Sequence, residues 1–280
     1  IGSETLGSIV SPSTRCGVTG HRPTFGAVSR HGAMALSWTL DKLGPIARSA
    51  LDCALVYDAL RGADPQAPAS VDAPFPFAAD EPVDTFRVGV LQSAFAEDYE
   101  NQAADQKTLD VLRALGAELV PVAWGTDLPV GALLKTLDVE AAAAFDALTR
   151  SGEIDTLVRQ GENTWPNVFR TARFVPAVEH VQMDRLRVDL MEQAHAVLQD
   201  LDVLASPSFG GDTLGITNLT GHPCVCLPNA LRPVEDGPAP RRQPGSISFV
   251  APLYDDHKAL RLAHAVQQQT DIHTRRPPIR

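Results

Sequence analysis

The sequence predicts an α/β fold, because strand patterns and helix patterns alternate along most of its 280 residues. A short apolar strand at 86–91, a helix at 101–115 that Gly116 stops, and a strand at 117–122 follow one another. This β-α-β order is typical of two parallel strands joined by a crossover helix. Three further short apolar runs are predicted to be buried strands: residues 203–205, 225–227 and 247–251.

The composition excludes several classes of protein. With 44% hydrophobic and 21% charged residues, the chain can bury a large core in one or two lobes. The net charge of −10 argues against a nucleic-acid binder, whose surface would be basic, and disfavours an anionic membrane surface. No stretch approaches the roughly 20 apolar residues of a membrane helix. We therefore expect a small-molecule partner, without nucleic acid or membrane.

The remaining elements are predicted from caps, prolines and periodicity. Ser49 begins a helix that we expect to end near Arg61, and five prolines make residues 63–84 a surface linker. Further helices are predicted at residues 130–148, 176–200 and 256–269. The long helix at 176–200 has an apolar face made of Val178, Val181, Leu186, Leu190, Ala194 and Val197. Residues 234–244 are predicted to form an exposed loop, and the tail around 277–278 to be loose.

The four cysteines lack the spacing of a metal site: Cys16, Cys53, Cys224 and Cys226. Cys224 and Cys226 are two residues apart on a predicted strand and should share one face. Free cysteine behaves as a small apolar residue, so we interpret all four as buried thiols in a reducing cytosol. The expected location is therefore cytoplasmic, with no bound metal.

A loop of small and hydroxyl residues opens the chain. Residues 2–9 read G-S-E-T-L-G-S-I, and Ser8 follows the second glycine. Small residues let a backbone approach a ligand closely, and successive N–H groups in such a loop can converge on an anion. A hydroxyl beside such N–H groups has the arrangement that acyl transfer needs. Ser8 is therefore the candidate nucleophile.

The segments after this loop strengthen the prediction. Residues 11–18 read S-P-S-T-R-C-G-V, residues 22–26 read R-P-T-F-G, and residues 40–46 read L-D-K-L-G-P-I. Together with the loop they resemble the amidase signature family, whose pattern is roughly G-S-D-T-G-G-S-I-R with a later S-x-D-x-x-G-P. A weaker likeness continues to the far end, through N-L-T-G-H-P at 218–223.

The resemblance implies a single amidase signature domain over 1–280, with a mixed central β-sheet covered by helices on both faces. It implies hydrolysis of a carboxylic amide by a Ser–cis-Ser–Lys triad without a cofactor. Ser8 would be the nucleophile, and the backbone N–H groups of Thr5, Leu6, Gly7 and Ser8 would form the oxyanion hole. The family's lysine and second serine lie upstream of this loop. We therefore expect the chain to be the C-terminal part of a longer protein, and that upstream segment to be its partner. A homodimer stays open.

Three positions of the loop depart from the family pattern. Glu4 replaces aspartate, Leu6 replaces glycine and Val10 replaces arginine. We expect the Leu6 side chain to enter the acyl pocket, because glycine is used where a ligand comes close. Val10 removes a guanidinium that would hold the loop, so another group must do so here.

Several other functions stay open on the sequence alone. Within the family these are a carbamate (urethane) or aryl-anilide hydrolase and an amidotransferase A subunit, although the tyrosine-rich run typical of the latter is not found at 165–176. A non-catalytic scaffold is the alternative outside the enzymes. A serine–histidine hydrolase is disfavoured because no G-x-S-x-G pattern occurs. His222 is expected to be structural, and Trp165 and Phe169 either cover the substrate or pack in the core.

Overall fold

A computed structural model describes residues 1–234 and 241–276 of the chain. Its strands are β1 (Gly2–Glu4), β2 (Thr19–Arg22), β3 (Lys42–Gly44), β4 (Ile46–Ala47), β5 (Arg87–Leu91), β6 (Glu118–Val122), β7 (Val203–Pro207), β8 (Cys224–Val234) and β9 (Arg241–Val250). Its helices are α1 (Val10–Cys16), α2 (Ala50–Leu60), α3 (Gln92–Ala96), α4 (Gln102–Ala114), α5 (Val130–Leu133), α6 (Lys135–Ala144), α7 (Asp146–Arg150), α8 (Trp165–Thr171), α9 (Ala177–Leu198), α10 (Thr213–Thr220) and α11 (Asp256–Gln268). None of these helices is long and apolar enough to cross a membrane.

Seven strands form a mixed sheet in the order β4-β2-β8-β9-β7-β5-β6. Strand β5 runs parallel to both β6 and β7, and the other neighbours pair antiparallel. Strands β1 and β3 form a separate antiparallel pair, in which Ser3 lies opposite Leu43. The mixed sheet predicted for the family is confirmed.

Alternate residues of the central strands enter two different apolar cores. On β8, Val225 and Leu227 pack with α2, α4 and α11, whereas Cys224 and Cys226 pack with α1, α5, α9 and α10. Because neighbouring side chains on a strand point to opposite faces, both faces of the sheet are covered by helices. The shared face of Cys224 and Cys226 is likewise confirmed.

Predictions that depend on residues within one segment are confirmed. The Ser49 hydroxyl accepts a hydrogen bond from the Asp52 N–H at 3.0 Å and caps α2. Strands β5 and β6 are parallel and joined through α4, as the β-α-β order predicts. The linker at 63–84 contains no helix or strand, and α9 and α11 fall within a few residues of their predicted bounds.

Two predictions about helices were wrong in part. The helix predicted at 130–148 is three short helices, and the chain turns at Phe145, whose ring stacks on Phe169 at 4.8 Å. Val178 and Val181 on α9 are 68% and 56% exposed, whereas Leu190, Ala194 and Leu198, nearer the end of that helix, are buried in the core.

In the predicted loop at 234–244, the described residues 234 and 241–244 belong to strands instead. Strand β8 continues to Val234, and β9 begins at Arg241, so the two form a long hairpin. Residues 235–240 and the tail at 277–278 lie outside the described residues. Cys16 is exposed rather than buried, because it is the last residue of the short helix α1.

Candidate active site

The loop that carries Ser8 connects β1 to α1. Gly7 has a φ of +85°, and a Cβ added there would lie 3.1 Å from Cδ2 of Leu214. Glycine is therefore the residue that fits both the backbone and the close approach of α10. Ser8 follows immediately and is exposed, whereas Ile9 and Val10 are buried. The loop thus presents one hydroxyl to solvent and turns its flanks into the core.

Glu4 holds this loop from beneath. One carboxylate oxygen accepts the N–H groups of Ile9 and Val10 at 2.7 and 3.0 Å. The other accepts Nη1 of Arg22 at 2.7 Å and Nδ2 of Asn218 at 2.9 Å. Both residues of the ion pair are 0% exposed. Val10 stands where the family pattern has arginine, and in this chain the guanidinium of Arg22 holds the loop through Glu4.

The charge of Glu4 depends on these contacts. Burial by itself raises the pKa of the Glu4 carboxyl, but the Arg22 guanidinium, the nearby Lys42 and the Val10 N–H outweigh it and lower the pKa to about 2. Glu4 is consequently ionised at neutral pH. Arg22 also donates through Nη2 to the Thr217 hydroxyl and the His222 carbonyl, which ties the loop to α10 and the segment before β8.

Asp41 holds the opposite side of the loop. Its Oδ1 accepts the Thr5 hydroxyl at 2.6 Å, and its Oδ2 accepts the backbone N–H groups of Leu36 and Ser37 at 2.8 and 3.0 Å. Glu140 in turn accepts the Ser37 hydroxyl. Both oxygen atoms of Asp41 therefore accept hydrogen bonds, and the one to the Thr5 hydroxyl positions Thr5.

Replacing Asp41 with asparagine is expected to lower kcat/KM roughly 10- to 100-fold, because a displacement of about 1 Å near the reacting group costs that much. The amide group cannot accept both backbone N–H groups and the Thr5 hydroxyl as the carboxylate does. Thr5→Val removes the same bond from the other side, so the double variant should lose little more than either single variant. An Asp41→Asn protein with wild-type kcat and KM would contradict this role.

Ser8 opens into a cavity of ≈ 710 Å³. Its polar walls include Thr5, Arg30 and Asp41, and apolar walls come from Met34 and Trp38, among others. In the described residues, the backbone N–H groups from residue 6 to residue 8 donate to no protein acceptor, whereas those of the next two residues are bound by Glu4. A free hydroxyl and several free N–H groups therefore share one short loop.

Leu6 does not enter this cavity. Its side chain packs against the core that contains Val10 and Leu40, and it is not among the lining residues. The expectation that Leu6 shapes the acyl pocket was wrong, because the apolar core behind the loop takes up its side chain. The backbone N–H of Leu6 is still available in the loop.

The other candidates lie away from the cavity. His222 is buried, its Nδ1 lies 2.7 Å from the Thr220 hydroxyl, and burial lowers its pKa to about 4, so it is neutral and structural. Phe169 is buried against Phe145, which itself lines the cavity, and Trp165 stacks on Phe169. In the described part of the chain no group of three His, Cys, Asp or Glu residues could hold a metal.

Lys42 is the lysine nearest to the loop in sequence. It lies opposite Glu4 on β3, its Nζ is buried, and among the described residues this atom has no hydrogen-bond partner. Burial lowers its pKa well below the ordinary value. None of the lysines lines the cavity with Ser8.

Sequence reasoning did not identify Arg22, Asp41 or Asn218 as site residues. Arg22 and Asp41 lie in the signature segments at 22–26 and 40–46, and Asn218 opens the N-L-T-G-H-P run. Their positions in these motifs were visible, but their contacts with Glu4 and Thr5 span up to 214 residues of chain and required the fold.

The sequence is similar to known amidases and to related proteins. A family model described as Amidase matches residues 1–227. The putative amidase AmiD of Mycobacterium tuberculosis is 33% identical over 307 residues, covering 100% of this chain and 62% of that protein. The A subunit of the glutamyl-tRNA(Gln) amidotransferase of Streptomyces coelicolor is 27% identical over 314 residues, covering 95% of this chain and 62% of that protein.

Two solved structures share the fold. The peptide amidase of Stenotrophomonas maltophilia superposes with a TM-score of 0.76 at 25% identity, over 99% of this chain and 63% of that one. A bacterial aryl acylamidase superposes with a TM-score of 0.78 at 20% identity, over 99% of this chain and 64% of that one. The chain thus spans less than two thirds of the length of these four proteins. Because the family model covers most of its residues, the chain belongs to the amidase signature family.

Proposed function

We propose that the protein hydrolyses a carboxylic amide of a small molecule through an acyl-enzyme on Ser8. The observation that carries the proposal is the loop itself. An exposed hydroxyl and free N–H groups lie together beside a cavity, and Glu4 and Asp41 fix both sides of that loop. Hydrogen-bond donors that are fixed before reaction stabilise a developing oxyanion without further reorganisation.

In this mechanism Oγ of Ser8 attacks the amide carbonyl. The Ser8 proton passes through a second serine to a neutral lysine and then to the departing amine, so the C–N bond breaks as the amine takes the proton. The N–H groups of Thr5, Leu6, Gly7 and Ser8 hold the oxyanion. Water then attacks the acyl-enzyme, returns a proton to Ser8 and releases the carboxylic acid.

We assign the lysine and the second serine of this mechanism to sequence on the N-terminal side of Ile1. Two observations support this assignment. No lysine lines the cavity with Ser8, and Lys42 points instead into the buried charges around Glu4 and Arg22. The relatives are also considerably longer than 280 residues.

Labelling with a fluorophosphonate tests the nucleophile directly. The intact protein is treated with the reagent, digested, and analysed by mass spectrometry. We expect the adduct on Ser8 in folded protein and its loss after denaturation, because activation of the hydroxyl depends on the assembled site. Ser11, which lies on α1 and does not line the cavity, is the internal control and should stay unmodified. An adduct elsewhere, or none, would contradict the proposal.

A further inference from the structure

Arg30 stands in the wall of the cavity that contains Ser8. Its Nη1 donates to the Trp38 carbonyl at 2.7 Å, and its guanidinium carbon lies 4.6 Å from the centre of the Phe25 ring. These two contacts fix the plane of a half-buried guanidinium. In the described residues its Nε and Nη2 make no hydrogen bond, so the edge of the guanidinium formed by these two nitrogens is free to bind a ligand.

The charge of Arg30 has no close counter-ion among the described residues. Within residues 1–234 and 241–276, no carboxylate oxygen lies within 4.0 Å of its nitrogen atoms. Asp41 and Glu140 are the acids whose charges act on it. The oxygens of Asp41 already accept three donors, and those of Glu140 accept the Ser37 hydroxyl and two donors of Thr39. Burial lowers the pKa of Arg30, and the charges of Asp41 and Glu140 offset this only in part.

We propose that Arg30 binds a carboxylate of the substrate, so that the preferred substrates are amides carrying a carboxylate on the acyl or the amine side. A guanidinium edge matches a carboxylate in geometry and forms two charge-assisted hydrogen bonds with it. This assignment rests on the proposed hydrolysis at Ser8. It names a substrate class for the same cavity, whose remaining walls are largely apolar.

Three chromogenic amides test the assignment in the intact protein. Butyryl 4-nitroanilide is neutral, N-succinyl 4-nitroanilide carries the carboxylate on the acyl side, and butyryl 3-carboxy-4-nitroanilide carries it on the amine side. We expect at least one charged amide to exceed the neutral amide in kcat/KM by about tenfold or more, because hydrogen bonds between charged groups contribute that much.

Arg30→Gln should lower kcat/KM for that charged amide roughly 10- to 100-fold and for the neutral amide less than about threefold. Arg30→Lys keeps the charge and should retain part of the preference. His31→Asn changes an exposed neighbour in the same wall and should leave the ratio unchanged. Melting temperatures of all variants show whether the contacts with Phe25 and Trp38 also support the fold.

Two results would overturn the assignment while leaving the proposed function intact. One is a wild-type protein that cleaves the neutral amide, dependent on Ser8, as well as it cleaves both charged amides. The other is an Arg30→Gln protein that loses the same factor on all three amides, which indicates a structural role. Turnover of no amide, or turnover that survives Ser8→Ala, would contradict the proposed function and this assignment with it.

Discussion

Replacing Ser8 with alanine is expected to abolish amide hydrolysis by the intact protein, with kcat falling by about 10⁴-fold or more. Removal of a covalent nucleophile leaves only binding and oxyanion stabilisation, and in serine hydrolases the loss is of this size. Ser8 is exposed, and neither Glu4 nor Asp41 bonds its hydroxyl. The free energy of unfolding should therefore change by less than about 0.5 kcal/mol.

The matched control is Ser11→Ala, which removes a hydroxyl three residues away, outside the cavity. We expect its kcat to stay within a few-fold of wild type, with an unchanged melting curve. Steady-state kinetics and thermal unfolding of both variants, measured together, separate loss of chemistry from loss of fold. A Ser8→Ala protein that retains more than about a tenth of wild-type turnover would rule out Ser8 as the nucleophile.

Replacing Glu4 with glutamine is expected to give the largest loss of stability, about 3–5 kcal/mol. The change leaves the fully buried Arg22 without its counter-ion and weakens the acceptors of the Ile9 and Val10 N–H groups. A buried charge without a partner costs several kcal/mol. Because the same carboxylate holds the Ser8 loop, turnover should fall as well.

Urea unfolding at neutral pH measures this loss, with Glu118→Gln as the control. Glu118 is 69% exposed and lies 3.9 Å from Arg87, so its replacement should cost less than about 1 kcal/mol. Equal losses in the two variants would show that the buried pair has no special role.

The loss should also depend on pH in a defined direction. The pKa of Glu4 is lowered in the folded protein to about 2 from 4.5, so its carboxylate stabilises the fold fully above pH 4.5. This contribution is lost as the pH falls from 4.5 towards 2, because the unfolded chain then takes up a proton at Glu4 that the folded protein binds only near pH 2. The difference between wild type and Glu4→Gln should accordingly shrink on acidification over that interval. A difference that stays constant would mean that it does not arise from this ionisation.

Local signals in the sequence determined much of the architecture. The cap at Ser49, the prolines at 63–84 and the β-α-β order around α4 are each contained in one segment, and the structure agrees with them. The predictions that were wrong concern elements with partners far away in the sequence. The chain turns at Phe145, whose ring stacks on the distant Phe169, and β8 and β9 pair with each other beyond their apolar runs. Pairing and packing over long separations override local propensity.

The sequence alone determined the family and the candidate nucleophile, because a loop of small residues and its neighbouring motifs are contiguous in the chain. Only the tertiary structure decided how that loop is held. Glu4 meets Arg22 from β2 and Asn218 from α10, Thr5 meets Asp41, and Leu6 enters the core instead of the cavity. Buried charges and polar groups must find partners wherever the folded chain brings them. The partners of Glu4 come from β2 and α10, which lie far from β1 in the sequence, so no single stretch of sequence specifies them.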